Sequence, residues 1–139
     1  MDRKDFLKSA FSLCGLSMIP IGVMESCSTS GTTAPTNVNF TLDLTNAANA
    51  SLNAVGGALV INSTIVICYA ANTFYAYSSL CTHQGCVVGY NPAVSTQIYC
   101  PCHGGAYNPT TGAVTSGPPP SGLTKFTVTR SGNILTVKS

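Results

Sequence analysis

The sequence predicts an all-β domain. Short runs rich in Val, Ile, Thr, Tyr and Phe recur through residues 38–137, and Asn, Ser, Gly and Pro separate them. No stretch carries the three-to-four-residue apolar spacing of a long amphipathic helix. The first strand is expected at 38–44, where apolar and polar residues alternate as on a half-buried sheet. Residues 45–55 are rich in Ala and Asn and suit a short helical turn or a loop, and Gly56-Gly57 is a turn. Residues 58–62, 64–69 and 73–78 form a meander of three strands, and 97–99 is a further short strand. Residues 123–129 and 133–137 flank Arg130-Ser131-Gly132 and read as a closing hairpin.

At 139 residues the chain holds one domain and a short appendage. Charged residues make up 7%, against about a quarter in an average soluble domain. The 45% apolar content is ordinary and excludes a low-hydrophobicity disordered chain. A net charge of +2 without a basic run excludes a nucleic-acid partner. The charges are also unevenly placed. Asp2, Arg3, Lys4, Asp5, Lys8 and Glu25 lie at the start, and only Asp43, Lys125, Arg130 and Lys138 follow.

That start reads as an export signal over residues 1–27. A charged opening precedes a mostly apolar run, residues 9–24, too short for a full transmembrane helix. Asp2-Arg3-Lys4-Asp5-Phe6-Leu7-Lys8 resembles a twin-arginine signal with Lys4 in place of the second Arg. Ser26-Cys27 just after the apolar run resembles a bacterial lipoprotein cleavage site, which makes Cys27 the candidate lipidation site. An uncleaved anchor and plain secretion are the alternatives. All three place the domain outside the cytoplasm, in a bacterial periplasm or cell envelope, where disulfides persist. The Ser, Thr, Gly and Pro of residues 28–37 form a tether, leaving 38–139 as the folded domain.

Seven cysteines in so short a chain point to metal, disulfides or both. Four of them, with both histidines, fall in two loop-like clusters. These are Cys81-Thr82-His83-Gln84-Gly85-Cys86 and Cys100-Pro101-Cys102-His103-Gly104-Gly105. A zinc finger needs a Cys pair followed by a His pair, and here the two types interleave. Attached c-type haem needs Cys-x-x-Cys-His, and Cys100-Pro101-Cys102-His103 is one residue short. A four-cysteine ferredoxin centre has no use for the histidines. A centre with two thiolates on one iron and two imidazoles on the other fits Cys81, His83, Cys100 and His103, one Cys and one His from each loop. Cys68, in an apolar run, reads as an inert core thiol, Cys14 lies in the apolar leader, and Tyr69, Tyr75, Tyr77, Tyr90 and Tyr99 read as core or surface aromatics.

With C-T-H-x-G-C and C-P-C-H-G in place, the sequence resembles the Rieske family over about residues 38–139, most strongly 74–120. The resemblance implies an antiparallel β-sandwich with a small cluster-binding subdomain at about 81–120. It implies one [2Fe–2S] cluster per chain, ligated by Cys81, His83, Cys100 and His103. It further implies a Cys86–Cys102 disulfide, as in Rieske proteins of cytochrome bc complexes and arsenite oxidases, and a covering proline loop at 117–120. Gly104 and Gly105 are implied to let backbone N–H groups approach the sulfurs, and the Tyr107 hydroxyl to donate to the Cys81 thiolate. Cytochrome bc members carry Ser at the position of Gly105 and a bulky apolar residue at that of Gln84, and both departures point away from quinol oxidation.

The function implied is one-electron transfer by an exported, membrane-tethered protein, as a carrier or as the small subunit of an oxidoreductase. Its partners are then a cytochrome or a larger oxidoreductase subunit, and the membrane through the N-terminal lipid or anchor. The alternatives are the quinol-oxidising subunit of a cytochrome bc-like complex and a redox-silent structural metal module. No organic-substrate site or second cofactor motif is present in the sequence.

Overall fold

The computed structural model describes residues 33–139. Ten strands and one short helix follow in the order β1 (Asn39–Asp43), a 3₁₀ helix (Ala47–Asn53), β2 (Ala58–Ile61), β3 (Thr64–Ala70), β4 (Thr73–Ser78), β5 (Gly89–Asn91), β6 (Ser95–Tyr99), β7 (Ala106–Tyr107), β8 (Val114–Ser116), β9 (Lys125–Ser131) and β10 (Ile134–Lys138). The all-β class is borne out. All pairings are antiparallel, in a six-stranded sheet of order β1-β10-β9-β4-β3-β2 and a four-stranded sheet of order β5-β6-β7-β8.

The six-stranded sheet curls around a first core. Leu42 of β1, Val66 of β3, Ala76 of β4, Phe126 of β9 and Leu135 and Val137 of β10 meet there. Leu52 of the 3₁₀ helix plugs one end at 1% exposure. Asn46 caps that helix, its side chain accepting from the Ala48 N–H at 2.9 Å, and Asn49 and Asn53 donate to the carbonyls of Asp43 and Leu44. These side-chain bonds give the Ala/Asn-rich stretch its fixed shape.

Strand β3 explains how the second sheet is held. Thr64–Cys68 is buried at every position, as an apolar run without alternation allows. Val66 faces the first core, while Ile65 and Ile67 face a second one with Tyr77, Val88, Ile98, Tyr107 and Leu123. The four-stranded sheet therefore sits on the outer face of β3 and β4. Tyr77 is fully buried, and its hydroxyl donates to the Pro109 carbonyl at 2.9 Å.

Three strands lie outside the expected set: β5, β7 and β8, of two or three residues each. They are held by pairing and burial rather than by any local pattern. The final hairpin turns at Gly132-Asn133, with Ser131 paired to Ile134, rather than at 130–132. Between β2 and β3 the turn is Asn62-Ser63, both in the left-handed region (φ 50° and 56°), the geometry of a type I′ hairpin.

Candidate metal centre

Both Cys/His clusters leave the second core as turns of the same build. The Cys81 N–H donates to the Cys86 carbonyl at 2.8 Å, and the Gly85 N–H donates back to the Cys81 carbonyl at 2.8 Å. In the other turn the Cys100 N–H donates to the Gly105 carbonyl at 2.7 Å, and the Gly104 N–H donates to the Cys100 carbonyl at 3.2 Å. In each, the residue four after the cysteine is a glycine with positive φ, +73° at Gly85 and +71° at Gly104. That conformation is open to glycine at little cost, and it brings the chain back on itself. Each turn folds backbone N–H groups over its own sulfur: those of His83 and Gln84 over Cys81, and those of Cys102 and His103 over Cys100.

The cysteines sit at the bottom of these turns and the histidines at the top. Cys81 and Cys100 are 1% and 2% exposed and carry free thiols. His83 is half-buried and His103 exposed; their Nδ1 atoms lie 3.3 Å apart, the rings edge to face. Like donors are thus paired with like, two sulfurs below and two imidazole nitrogens above.

Cys86 and Cys102 are joined in a disulfide that ties one turn to the other. The sulfurs of Cys86, Cys100 and Cys102 all lie within 4.8 Å of one another. That trio is no metal site, because two of its members are spent in the disulfide.

Tyr107 stands beneath the first turn. It is fully buried, and its hydroxyl is 3.2 Å from Cys81 Sγ. The Thr82 N–H donates to that hydroxyl at 3.1 Å, which leaves the phenolic proton free for another partner. Two acceptors are in reach, Cys81 Sγ and Thr82 Oγ1, the latter at 3.3 Å and itself donating to the Ser121 carbonyl at 2.6 Å. A thiolate outcompetes a neutral hydroxyl for that proton. Burial pushes the Cys81 thiol up, but hydrogen bonds from Tyr107 and from the turn's N–H groups outweigh it and bring the thiol below the ordinary range. Burial wins at Cys100, whose thiol lies above it.

The proline segment closes over the second turn by direct backbone contact. Gly117 has φ +88°, and a Cβ there would fall 2.7 Å from Gly105 Cα and 2.9 Å from the Gly104 oxygen. Pro119 is buried against Gly105, where a Cβ would meet its ring at 2.6 Å. The space that a Ser side chain needs at position 105 is filled by Pro119.

Two thiols and two imidazoles, paired by type, fit a two-iron centre with chemically distinct irons. The comparison with protein families agrees: the profile of the Rieske [2Fe-2S] domain matches residues 38–127. The chain belongs to the Rieske [2Fe–2S] domain family. Its cofactor is a [2Fe–2S] cluster. This Rieske domain is 49% identical over 49 residues to the cytochrome b6-f complex iron-sulfur subunit of Prochlorococcus marinus, a match covering 35% of this chain and 26% of that one. It is 47% identical over 53 residues to a putative respiratory nitrate reductase subunit Rieske of Haloferax mediterranei, covering 38% and 23%. The chain thus spans about a quarter of the length of these curated relatives. Among solved structures it is similar to the plasma membrane Rieske protein of Synechocystis PCC 6803, with 31% identity, a TM-score of 0.54, and 65% and 93% of the two chains covered. It is also similar to the ferredoxin of carbazole 1,9a-dioxygenase from Nocardioides aromaticivorans, with 26% identity, a TM-score of 0.54, and 75% and 98% covered.

Sequence reasoning missed Gly85 and Thr82. The equal spacing Cys81–Gly85 and Cys100–Gly104 was the available signal for Gly85, masked because His follows Cys by two residues in one turn and three in the other. Cys68 is buried and its thiol is raised by burial, as an inert core thiol should be. Cys14, the candidate lipidation site Cys27 and residues 28–32 of the tether lie outside the described residues. Among the described residues no helix is long and apolar enough to cross a membrane.

Proposed function

We propose that this Rieske domain carries one electron at a time between protein partners outside the cytoplasm, tethered to a membrane at its N-terminus through Cys27. The observation that carries the electron-transfer reading is the donor set, in which Cys81 and Cys100 would hold one iron and His83 and His103 the other. When bound, the cluster accepts and returns a single electron. Two neutral imidazoles in place of two thiolates remove two negative charges from the site, so an added electron is held more tightly. Potentials of such centres lie at roughly −150 to +300 mV, above about −400 mV for plant-type ferredoxins. Burial of Cys81 and Cys100 keeps water from the sulfurs, while the histidines at the surface give the electron its short way out.

Export is supported by the charged start, by the apolar run that follows, and by a disulfide of the kind that persists in oxidising compartments. The test is the protein taken from its own cells. The membrane fraction should hold a chain that begins at a lipid-bearing Cys27. When reduced, it should show the paramagnetic resonance of a histidine-ligated [2Fe–2S] centre, with average g near ~1.9. Zinc without acid-labile sulfide would sink the electron-transfer reading, and a mature N-terminus elsewhere would sink the lipid anchor alone. The identity to a cytochrome b6-f subunit favours quinol oxidation as a second reading; quinol-linked reduction of the cluster in those membranes would establish it.

Tyr107→Phe should lower the potential. The hydroxyl that donates to Cys81 stabilises the more negative, reduced state. A charge-assisted bond is worth about 1.5–3 kcal/mol. With ~59 mV for each ~1.4 kcal/mol, the drop has an upper scale near ~125 mV. Protein-film voltammetry on both forms measures it, and an unchanged potential would mean that the phenolic proton goes to Thr82 Oγ1 instead.

A further inference from the structure

No Asp, Glu, Lys or Arg occurs between Asp43 and Lys125, the whole stretch that builds the metal-centre end of the domain. The four-stranded sheet, both Cys/His turns and the proline segment carry no formally charged side chain. Among the described residues the four charged ones, Asp43, Lys125, Arg130 and Lys138, all lie on the six-stranded sheet. Asp43 is held by the Thr45 N–H and hydroxyl. The Lys125 ammonium donates to the Thr110 carbonyl at 2.8 Å and lies 4.8 Å from the centre of the Tyr75 ring. Arg130 donates to the Gly132 carbonyl and to Asn72 and lies over Phe74. Lys138 ends β10, paired with Asn39 of β1. The exposed residues of the two turns and of the segments next to them in sequence are instead uncharged, among them Gln84, Val87 (53% exposed), Pro101, Pro118 and Pro120.

We infer that the histidine end docks onto a redox protein whose own contact face is uncharged, apolar side chains meeting Val87 and the prolines, and that no ionic steering guides the encounter. This rests on the electron-transfer reading above and specifies its partner. A charge on the partner buried against this end would be desolvated with nothing to pair with, so a charged docking face is selected against. Without steering, association runs at about 10⁵–10⁶ M⁻¹s⁻¹ instead of the 10⁸ or more that opposed charge allows. A shared membrane restores the encounter rate by raising local concentration.

Two viologen radicals of nearly equal chemistry and opposite charge, methyl viologen (+1) and propyl viologen sulfonate (−1), test this on the full, cluster-loaded chain. Second-order rates of reduction of the oxidised protein are measured from about 10 to 300 mM salt, over which screening tightens several-fold. The two rates should agree within about twofold at every salt concentration. If the three cations of the domain governed the encounter, the anionic radical would be several-fold faster at low salt and the advantage would vanish at high salt; that result overturns the inference. Val87→Lys should create such an advantage. If it does not, electrons do not enter at this end and the inference falls. If neither radical delivers an electron, the electron-transfer reading fails first and takes the inference with it.

Discussion

Cys86→Ala with Cys102→Ala should lower the stability of the cluster-bearing end by about 2–4 kcal/mol, the range for a disulfide closing a loop of this size. The two residues are 16 apart in sequence, and each sits in a turn that supplies one candidate thiol and one imidazole. All four donors survive the change, so the cluster should still assemble. What is lost is the covalent tie between the turns, so the His83 and His103 imidazoles can drift from their 3.3 Å approach. The measurement is loss of visible absorbance against urea, which should move to lower denaturant while the wild-type spectrum is kept at zero urea. A variant that bleaches at the wild-type midpoint would show that the proline segment and the turn hydrogen bonds hold the site alone.

Gly117→Ala should cost a comparable amount, about 2–4 kcal/mol. At φ +88° any L side chain is strained, by about 1–2 kcal/mol. Its Cβ would also press on Gly105 Cα and the Gly104 oxygen, backbone atoms that cannot rotate aside. The segment can relieve the clash only by lifting off the second turn and pulling Pro119 from Gly105. Gly132→Ala is the matched control, with positive φ of +58° and nothing within 4 Å of the new Cβ. It should show the backbone strain alone. Equal urea midpoints for the two variants would mean that the contact between Gly117 and the second turn contributes nothing.

What could be read from the sequence was whatever is written in local pattern or in rare residues. The run Ile65-Val66-Ile67 announces a strand because three β-branched side chains in succession suit a sheet and little else. The two histidines and their neighbouring cysteines stand out because chance does not cluster such scarce residues. Ala106–Tyr107 and Val114–Ser116 are too short to show any period and become strands only through β6 and each other. The packing of Gly117 on Gly105 joins residues whose spacing carries no signal. Pro119 filling the space beside Gly105 is likewise a contact between distant residues, and it gives a steric reason for glycine at position 105. The export reading falls in residues that the structure does not describe.

Strand β3 is a party wall. Val66 belongs to the core inside the curled sheet, while its neighbours Ile65 and Ile67 belong to the core beneath the cysteines. Neither core can melt without stripping one side of that strand, so the domain should unfold as a single cooperative unit. Whatever free energy iron binding adds at the turns then protects the far sheet as well. Amide hydrogens of Ile65–Ile67 should exchange last of all, through global opening only. Their exchange should slow by the same factor as those of Leu135 and Val137 when the cluster is in place, although no iron ligand lies on β10.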